Sequence, residues 1–252
     1  MDLSQKHTKT MKKIYHKEWE VKLLSHKFSN KDKQSIGLIT HLDPNSSIAE
    51  QYRMIRTNIQ FLSFEKEMKS IVITSPEPAD GKSTTATNLA ITLSQLGKKV
   101  LLIDADLRKP SIHYTFNISN IDGLTSVLTQ KTRLEDAVTK TYIPNLEVLT
   151  SGIIPPNPSE LLDSKTMESL MLKLKHSFDY IIFDTPPILA VTDSQVIANK
   201  CDGAVMVMTS GRTRKDKALK AKKLLDMTNS PLLGVILNKV DYFEDNYYYQ
   251  HQ

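Results

Sequence analysis

The stretch SPEPADGKSTT, residues 75–85, follows the apolar run IVIT and precedes a helical pattern running from Lys82 to Leu96. A strand, a short loop and a helix opening on Gly-Lys-Ser restrict the chain to few folds. The free N–H groups and dipole at such a helix start attract phosphate. The general loop reads G-x-x-x-x-G-K-[ST]; here Gly81, Lys82 and Ser83 fill its end, while Pro76 stands at the place of the first glycine. The backbone of Ala79, Asp80, Gly81, Lys82, Ser83 and Thr84 is therefore the predicted phosphate cradle. In that role Lys82 reaches the terminal phosphates and the Ser83 hydroxyl holds Mg²⁺.

The flanking pattern agrees with that start. Apolar runs KVLLIDA, NLEVLT, YIIFDT, GAVMVMTS and LLGVILNKV alternate with helical stretches around GLTSVL and LEDAV, after Pro158, near DSQVIANK and through KDKALKAKKLLDM. This is the βαβ rhythm, and strands so continuously apolar are covered by helices on both faces. A doubly wound, mostly parallel α/β sheet is predicted. Asn157, Pro158 and Glu160 read as cap, first turn and capping partner of one helix. Another helix is predicted over 47–62, with Ser47 and Glu50 as a capping box and Ile48, Tyr52, Ile55, Ile59 and Leu62 as one apolar stripe.

Carboxylates stand where a phosphate-bound metal needs them. Asp104 and Asp106 in VLLIDAD are two apart and point to one side of an extended strand end. Asp184 ends YIIFDTPP. In an open parallel sheet the ligand lies beyond the carboxyl ends of the strands, where the loop and all three acids fall. A magnesium ion keeps several waters and takes one or two carboxylates directly.

The sequence has 33 Lys and Arg against 28 Asp and Glu, a formal charge of +5. Residues 1–34 hold nine lysines and four acids, so this leader carries the whole surplus and the rest is neutral. It reads as a solvated, flexible segment, with Trp19, Val21, Leu23 and Leu24 as a short ordered piece. Such a surface suits anionic lipid, nucleic acid or an acidic partner. No apolar run approaches the roughly 18 residues of a membrane span, so a cytoplasmic protein is expected. A lone cysteine, Cys201, beside a strand-like run reads as a buried, inert thiol.

Six features in one order carry a resemblance. They are SxxPxxGKST at 75–84, LLIDADLRKP at 101–110, IIFDTPP at 181–187, SGIIPPNPSELL at 151–162, the ExxRxxR spacing of Glu50, Arg53 and Arg56, and a terminal tyrosine cluster. Over residues 45–252 the chain resembles the bacterial cytoplasmic tyrosine kinases of capsule and exopolysaccharide systems, which are P-loop proteins of the deviant Walker group, akin to the Min and Par ATPases. The resemblance implies an ATP- and Mg²⁺-dependent kinase domain over 35–240 and a tyrosine-rich tail over 241–252. It makes Lys82 and Ser83 the phosphate and metal residues, with Asp106 and Asp184 organising the metal and Asp104 as the base for the attacking hydroxyl. Arg108 either steadies phosphate charge or pairs with an acid, and Asn238 is a candidate adenine contact. Tyr242, Tyr247, Tyr248 and Tyr249 become phosphate acceptors that enter a neighbouring subunit's site. Glu50, Arg53 and Arg56 join subunits into a ring, an assignment to which the unpartnered apolar stripe lends weight.

The resemblance also implies a separate transmembrane activator of the polysaccharide co-polymerase class, which recruits the chain to the inner face of the membrane. A cognate tyrosine phosphatase and further protein substrates complete the set, and no nucleic acid is expected. The chain departs from the family at residue 79, where alanine replaces glycine. Two other readings stay open. A Min/Par-type positioning ATPase shares the sheet, although such proteins place an extra lysine where this chain has Ser75, Pro76 and Glu77. A nucleotide-gated scaffold, modified by another kinase, is the second.

Overall fold

The computed structural model describes residues 21–23, 38–62 and 67–240. In chain order the strands are β1 Val21–Leu23, β2 Ser70–Thr74, β3 Val100–Asp104, β4 Thr139–Lys140, β5 Leu146–Leu149, β6 Tyr180–Asp184, β7 Gly203–Thr209 and β8 Leu232–Asn238. The helices are α1 Ile39–Leu42, α2 Ser47–Leu62, α3 Lys82–Ser94, α4 Ile112–Phe116, α5 Leu124–Leu128, α6 Leu134–Ala137, α7 Pro158–Leu162, α8 Lys165–Ser177, α9 Asp193–Ala198 and α10 Lys215–Asp226.

Among the described residues one eight-stranded sheet has the order β1-β8-β7-β2-β6-β3-β5-β4. Every pairing is parallel except β4 with β5. The alternation of side chains along each central strand feeds two separate cores. Val72, Leu101, Ile103, Ile181 and Phe183 face one core, which α8, α9 and α10 complete through Leu174, Ile197 and Leu225. Ile71, Ile73, Leu102 and Ile182 face the other, closed by Leu89 and Leu93 of α3 and Ile55 of α2. Burying a side chain of this size stabilises by about 1.5–3 kcal/mol, and both faces gain it. That double covering is the predicted doubly wound architecture.

Helix α2 shows where local reading falls short. Its cap is Ser46, not Ser47: the Ser46 hydroxyl accepts from Ala49 N at 3.2 Å. Glu50 does not return to the backbone but accepts from Arg53 Nε at 2.7 Å. Of the predicted stripe, Ile48, Tyr52, Ile55 and Ile59 are buried, and they lie in the same core as α3. Their partner is thus within the chain, which removes the support the stripe lent to an intersubunit role. Leu62 leaves the stripe and is exposed.

The helix expected after Pro158 is two helices. Asp163 ends α7, and Ser164 starts α8 by accepting from Met167 N at 3.2 Å. Pro158 opens α7 as predicted, but the Asn157 amide donates to the Glu160 carboxylate at 2.9 Å instead of capping the backbone. Val21 and Leu23 of the expected ordered piece lie in β1, paired with β8, while Trp19 and Leu24 fall outside the described residues. Cys201 is buried, and burial pushes its thiol well up.

Candidate active site

The strand order places β6 between β2 and β3, so three strand ends form one shelf. In register, Asp184 stands opposite Asp104 on β3 and Ile73 on β2. The phosphate loop leaves β2 on this shelf and enters α3. Lys82 Nζ lies 3.2 Å from Asp106 Oδ2, 3.2 Å from the Ser83 hydroxyl and 3.7 Å from Asp184 Oδ1. The structure thus brings together Lys82, Ser83, Asp104, Asp106 and Asp184.

Their electrostatics follow from burial. Removing the Lys82 ammonium from water works against its charge, but Asp184 and Asp106 outweigh this and hold its pKa above the ordinary value. Burial raises the Asp184 carboxyl, while Lys82 and Ser83 oppose the shift. Asp104 is raised to about 7, first by burial and then by the charge of Asp184, against hydrogen bonds from Ile112 N and Ser111 N. Those amides reach Asp104 Oδ2 at 3.0 and 2.9 Å, and Asp106 N reaches Oδ1 at 3.2 Å. Asp104 therefore also fixes the turn that leads into α4, a helix the sequence pattern did not predict.

Asp184 has no solvent exposure, and among the described residues its oxygens find no hydrogen-bond partner, the Lys82 ammonium standing 3.7 Å away as counter-ion. A wholly buried carboxylate with unused lone pairs is a costly arrangement, and a cation or its waters would complete it. Ser83 and Asp106 supply two further oxygens beside Lys82. Among the described residues no three acidic, His or Cys side chains make a metal centre alone. The oxygens of Ser83, Asp106 and Asp184 suit a hard divalent ion that keeps waters and borrows phosphate oxygens. Such an ion, when bound, neutralises phosphate charge.

The loop itself is held in an uncommon shape. Ala79 has φ 63° and Gly81 φ 96°, both left-handed. A Cβ at Gly81 would lie 2.1 Å from Asn238 Nδ2, the movable end of a side chain, so the positive φ is the stricter of two demands for glycine. The family departure at Ala79 falls on a left-handed position, where alanine costs about 1 kcal/mol or more. Asn238, the candidate adenine contact, donates to Asp80 O at 3.1 Å. Asp80 is buried, and it accepts from Arg212 at 3.1 Å and Thr213 at 2.9 Å. Sequence reasoning missed both residues, for nothing local links SGRTR to a loop about 130 positions earlier.

Arg108 takes the second of its two expected places. Its guanidinium donates to Asp193 at 2.8 and 3.1 Å, and the Ser159 hydroxyl donates to the same carboxylate at 2.5 Å. The cluster ties the β3 loop to α7 and α9. On α2, Glu50 and Arg53 pair with each other, while Arg56 turns inward and donates to Thr92 O of α3 at 3.0 Å. Tyr242, Tyr247, Tyr248 and Tyr249 lie outside the described residues. Among the described residues no helix is long and apolar enough to cross a membrane.

Comparison with known proteins completes the site. Residues 68–209 match the AAA domain family. The chain is 54% identical over 202 residues to tyrosine-protein kinase YwqD of Bacillus subtilis, covering 80% of this chain and 85% of that protein. It is 41% identical over 222 residues to the putative tyrosine-protein kinase CapB of Staphylococcus aureus, covering 88% and 97%. Among solved structures, the chimerical protein CapA2B2 superposes with a TM-score of 0.85 at 40% identity, over 93% of this chain and 99% of that one. The septum-site determining protein MinD of Pyrococcus horikoshii, complexed with Mg-ADP, reaches 0.59 at 25% identity over 68% of this chain and 70% of that one. The likeness to MinD thus covers about two thirds of this chain, whereas the likeness to the tyrosine-protein kinases covers 80–88% of it. On that ground the chain belongs to the bacterial protein-tyrosine kinases, enzymes built on a P-loop nucleotide-binding domain.

Proposed function

We propose that the chain, with ATP and Mg²⁺, phosphorylates the tyrosines of its own C-terminal tail in trans and so regulates capsular or exopolysaccharide synthesis and export. The observation that carries this reading is the buried Asp184 carboxylate, without hydrogen-bond partners among the described residues, beside Lys82 and Ser83 at the phosphate loop. Ser83, Asp106 and Asp184 hold the metal; the amides from Ala79 to Thr84, with Lys82, hold the triphosphate. A tail tyrosine oxygen, from Tyr242, Tyr247, Tyr248 or Tyr249, forms a bond to the γ-phosphorus. The bond from that phosphorus to the β–γ bridging oxygen breaks, ADP leaves, and the phenolic proton passes to Asp104. A free phenol has a pKa near 10, so a placed carboxylate helps it react at neutral pH. Arg108 acts from its ion pair with Asp193, holding the loop that carries Asp106, and Asn238 meets nucleotide beside the loop.

Glu50, Arg53 and Arg56 join copies of the chain into a ring, so that each tail reaches a neighbour's site. A transmembrane activator of the co-polymerase class brings the ring to the inner face of the membrane. Phosphate adds about −1.5 to −2 charges per tyrosine, which expels the tail from an acid-lined site, and a cognate phosphatase resets it. Other proteins are further substrates.

Purified protein incubated with ATP and Mg²⁺ is expected to give a phosphotyrosine signal that Lys82→Met abolishes. A tail-deleted chain with an intact site should label the tail of a Lys82→Met chain. Signal persisting in Lys82→Met alone defeats the site assignment, and no transfer between the two chains defeats action in trans.

A further inference from the structure

Asp80 stands between two left-handed residues, Ala79 and Gly81. Its buried side chain accepts three hydrogen bonds, from Glu77 N at 3.1 Å, Arg212 at 3.1 Å and the Thr213 hydroxyl at 2.9 Å. The backbone around it is held from the same quarter. Arg212 also donates to Pro78 O, Lys239 Nζ lies 3.5 Å from Ala79 O, and Asn238 donates to Asp80 O at 3.1 Å. Three successive carbonyls are thus tied to the turn after β7 and the end of β8.

A trans peptide is planar, with its N–H antiparallel to its C=O. Tying the carbonyls of Pro78, Ala79 and Asp80 outward therefore turns the N–H groups of Ala79, Asp80 and Gly81 the opposite way. Successive amides aimed to one side make an anion-binding concavity. The loop does not adopt this shape freely, because alanine at φ 63° is strained where glycine is not. Something must hold it, and among the described residues Arg212 alone grips the loop by both a side chain and a backbone carbonyl.

We propose that Arg212 is a positioning residue for nucleotide: through Asp80 and Pro78 O it holds the strained loop so that its amides face the phosphate. The inference rests on the nucleotide reading of this loop, and it predicts coupling between Arg212 and Ala79. Where Ala79→Gly relieves the strain, the grip of Arg212 matters less.

The test is the Kd for Mg–ADP, measured by titration on wild type, Arg212→Ala, Arg212→Lys and Thr213→Val, the first two also in the Ala79→Gly background. Arg212→Ala is expected to weaken binding about tenfold in the natural background and about threefold or less with Ala79→Gly, a non-additivity that marks direct coupling. Arg212→Lys should recover part of the loss, and Thr213→Val, which removes one bond to Asp80, should lose less than Arg212→Ala. A role confined to folding lowers Tm and leaves the Kd of the folded fraction alone. Should Arg212→Ala fail to fold, Arg212→Lys and Thr213→Val are read in both backgrounds. Kd values within twofold of wild type, or equal losses in both backgrounds, overturn the proposal. Wild-type protein that binds no Mg–ADP sinks the nucleotide reading as well.

Discussion

The Lys82 ammonium stands 3.7 Å from Asp184 Oδ1, and it faces a carboxylate with no exposure and, among the described residues, no hydrogen-bond partner. In the nucleotide-free protein Lys82 therefore has a second task, that of counter-ion to Asp184 and Asp106. Removing one partner of a buried ion pair leaves an uncompensated charge and costs about 3 kcal/mol. Lys82→Met is expected to lower Tm as well as to lose kinase activity, and because burial raises the Asp184 carboxyl, the drop should grow as the pH rises and that acid becomes charged. Differential scanning calorimetry without metal measures it; equal Tm in both proteins at pH 8 counts against the pairing.

Asp104 gives the unliganded protein an unusual pH dependence. Its carboxyl, raised to about 7 in the fold, retains a proton that the unfolded chain releases near pH 4. The folded state thus binds more protons between pH 4 and 7, so this group's contribution is full below about pH 4 and is lost as the pH rises through 7. Metal-free protein should show a falling Tm between pH 5 and 8. Mg–ADP, whose ion favours charged acids, should raise Tm more at pH 8 than at pH 5. Asp104→Asn should flatten the first dependence, provided buffers of matched ionic strength are used.

Gly81 meets two demands that separate variants can split. Its φ of 96° disfavours any side chain, and an added Cβ would fall 2.1 Å from Asn238 Nδ2. Gly81→Ala is expected to weaken Mg–ADP binding by about a hundredfold, given strain of about 1–3 kcal/mol plus the clash. Adding Asn238→Ala removes the clash but not the strain, so the double variant should bind more weakly than Asn238→Ala alone. Equal binding by those two would show that the backbone angle is unimportant.

The central sheet was legible because each strand is short, apolar and bounded, and because Gly81, Lys82 and Ser83 mark one strand-to-helix turn by themselves. Asp104, Asp106 and Asp184 were legible for the same reason, since strand ends in a parallel sheet share one edge. What stayed hidden was long-range or a matter of one residue's choice. Glu50 had two partners in reach, the backbone and Arg53, and spacing alone does not rank them. Arg212 and Asp193 act on loops far away in sequence, through contacts that exist only once the sheet has formed. Helix α4 is five residues long and depends on Asp104 to hold its first amides, so its own sequence carries little signal. The apolar stripe of α2 was read as a face that packs on something, which holds for four of its five residues, but periodicity states only that a face is covered and not by what.

That last distinction can be measured. Ile55 of α2 is buried in the core it shares with Leu89 and Leu93 of α3, within one chain. Truncating a buried isoleucine to alanine costs about 2–5 kcal/mol. For a chain of this size each kcal/mol shifts Tm by about 2–4 °C. Ile55→Ala should therefore lower Tm by about 4–20 °C, and the shift should be the same at low and high protein concentration. A face packed between subunits behaves otherwise, because dissociation couples stability to concentration. Arg53→Ala provides the contrast: its pair with Glu50 is largely exposed and adds little to the fold, so Tm should hold while any ring built on this helix weakens. A Tm loss in Ile55→Ala that disappears as the protein is concentrated would move the stripe from the core of one chain to a contact between two.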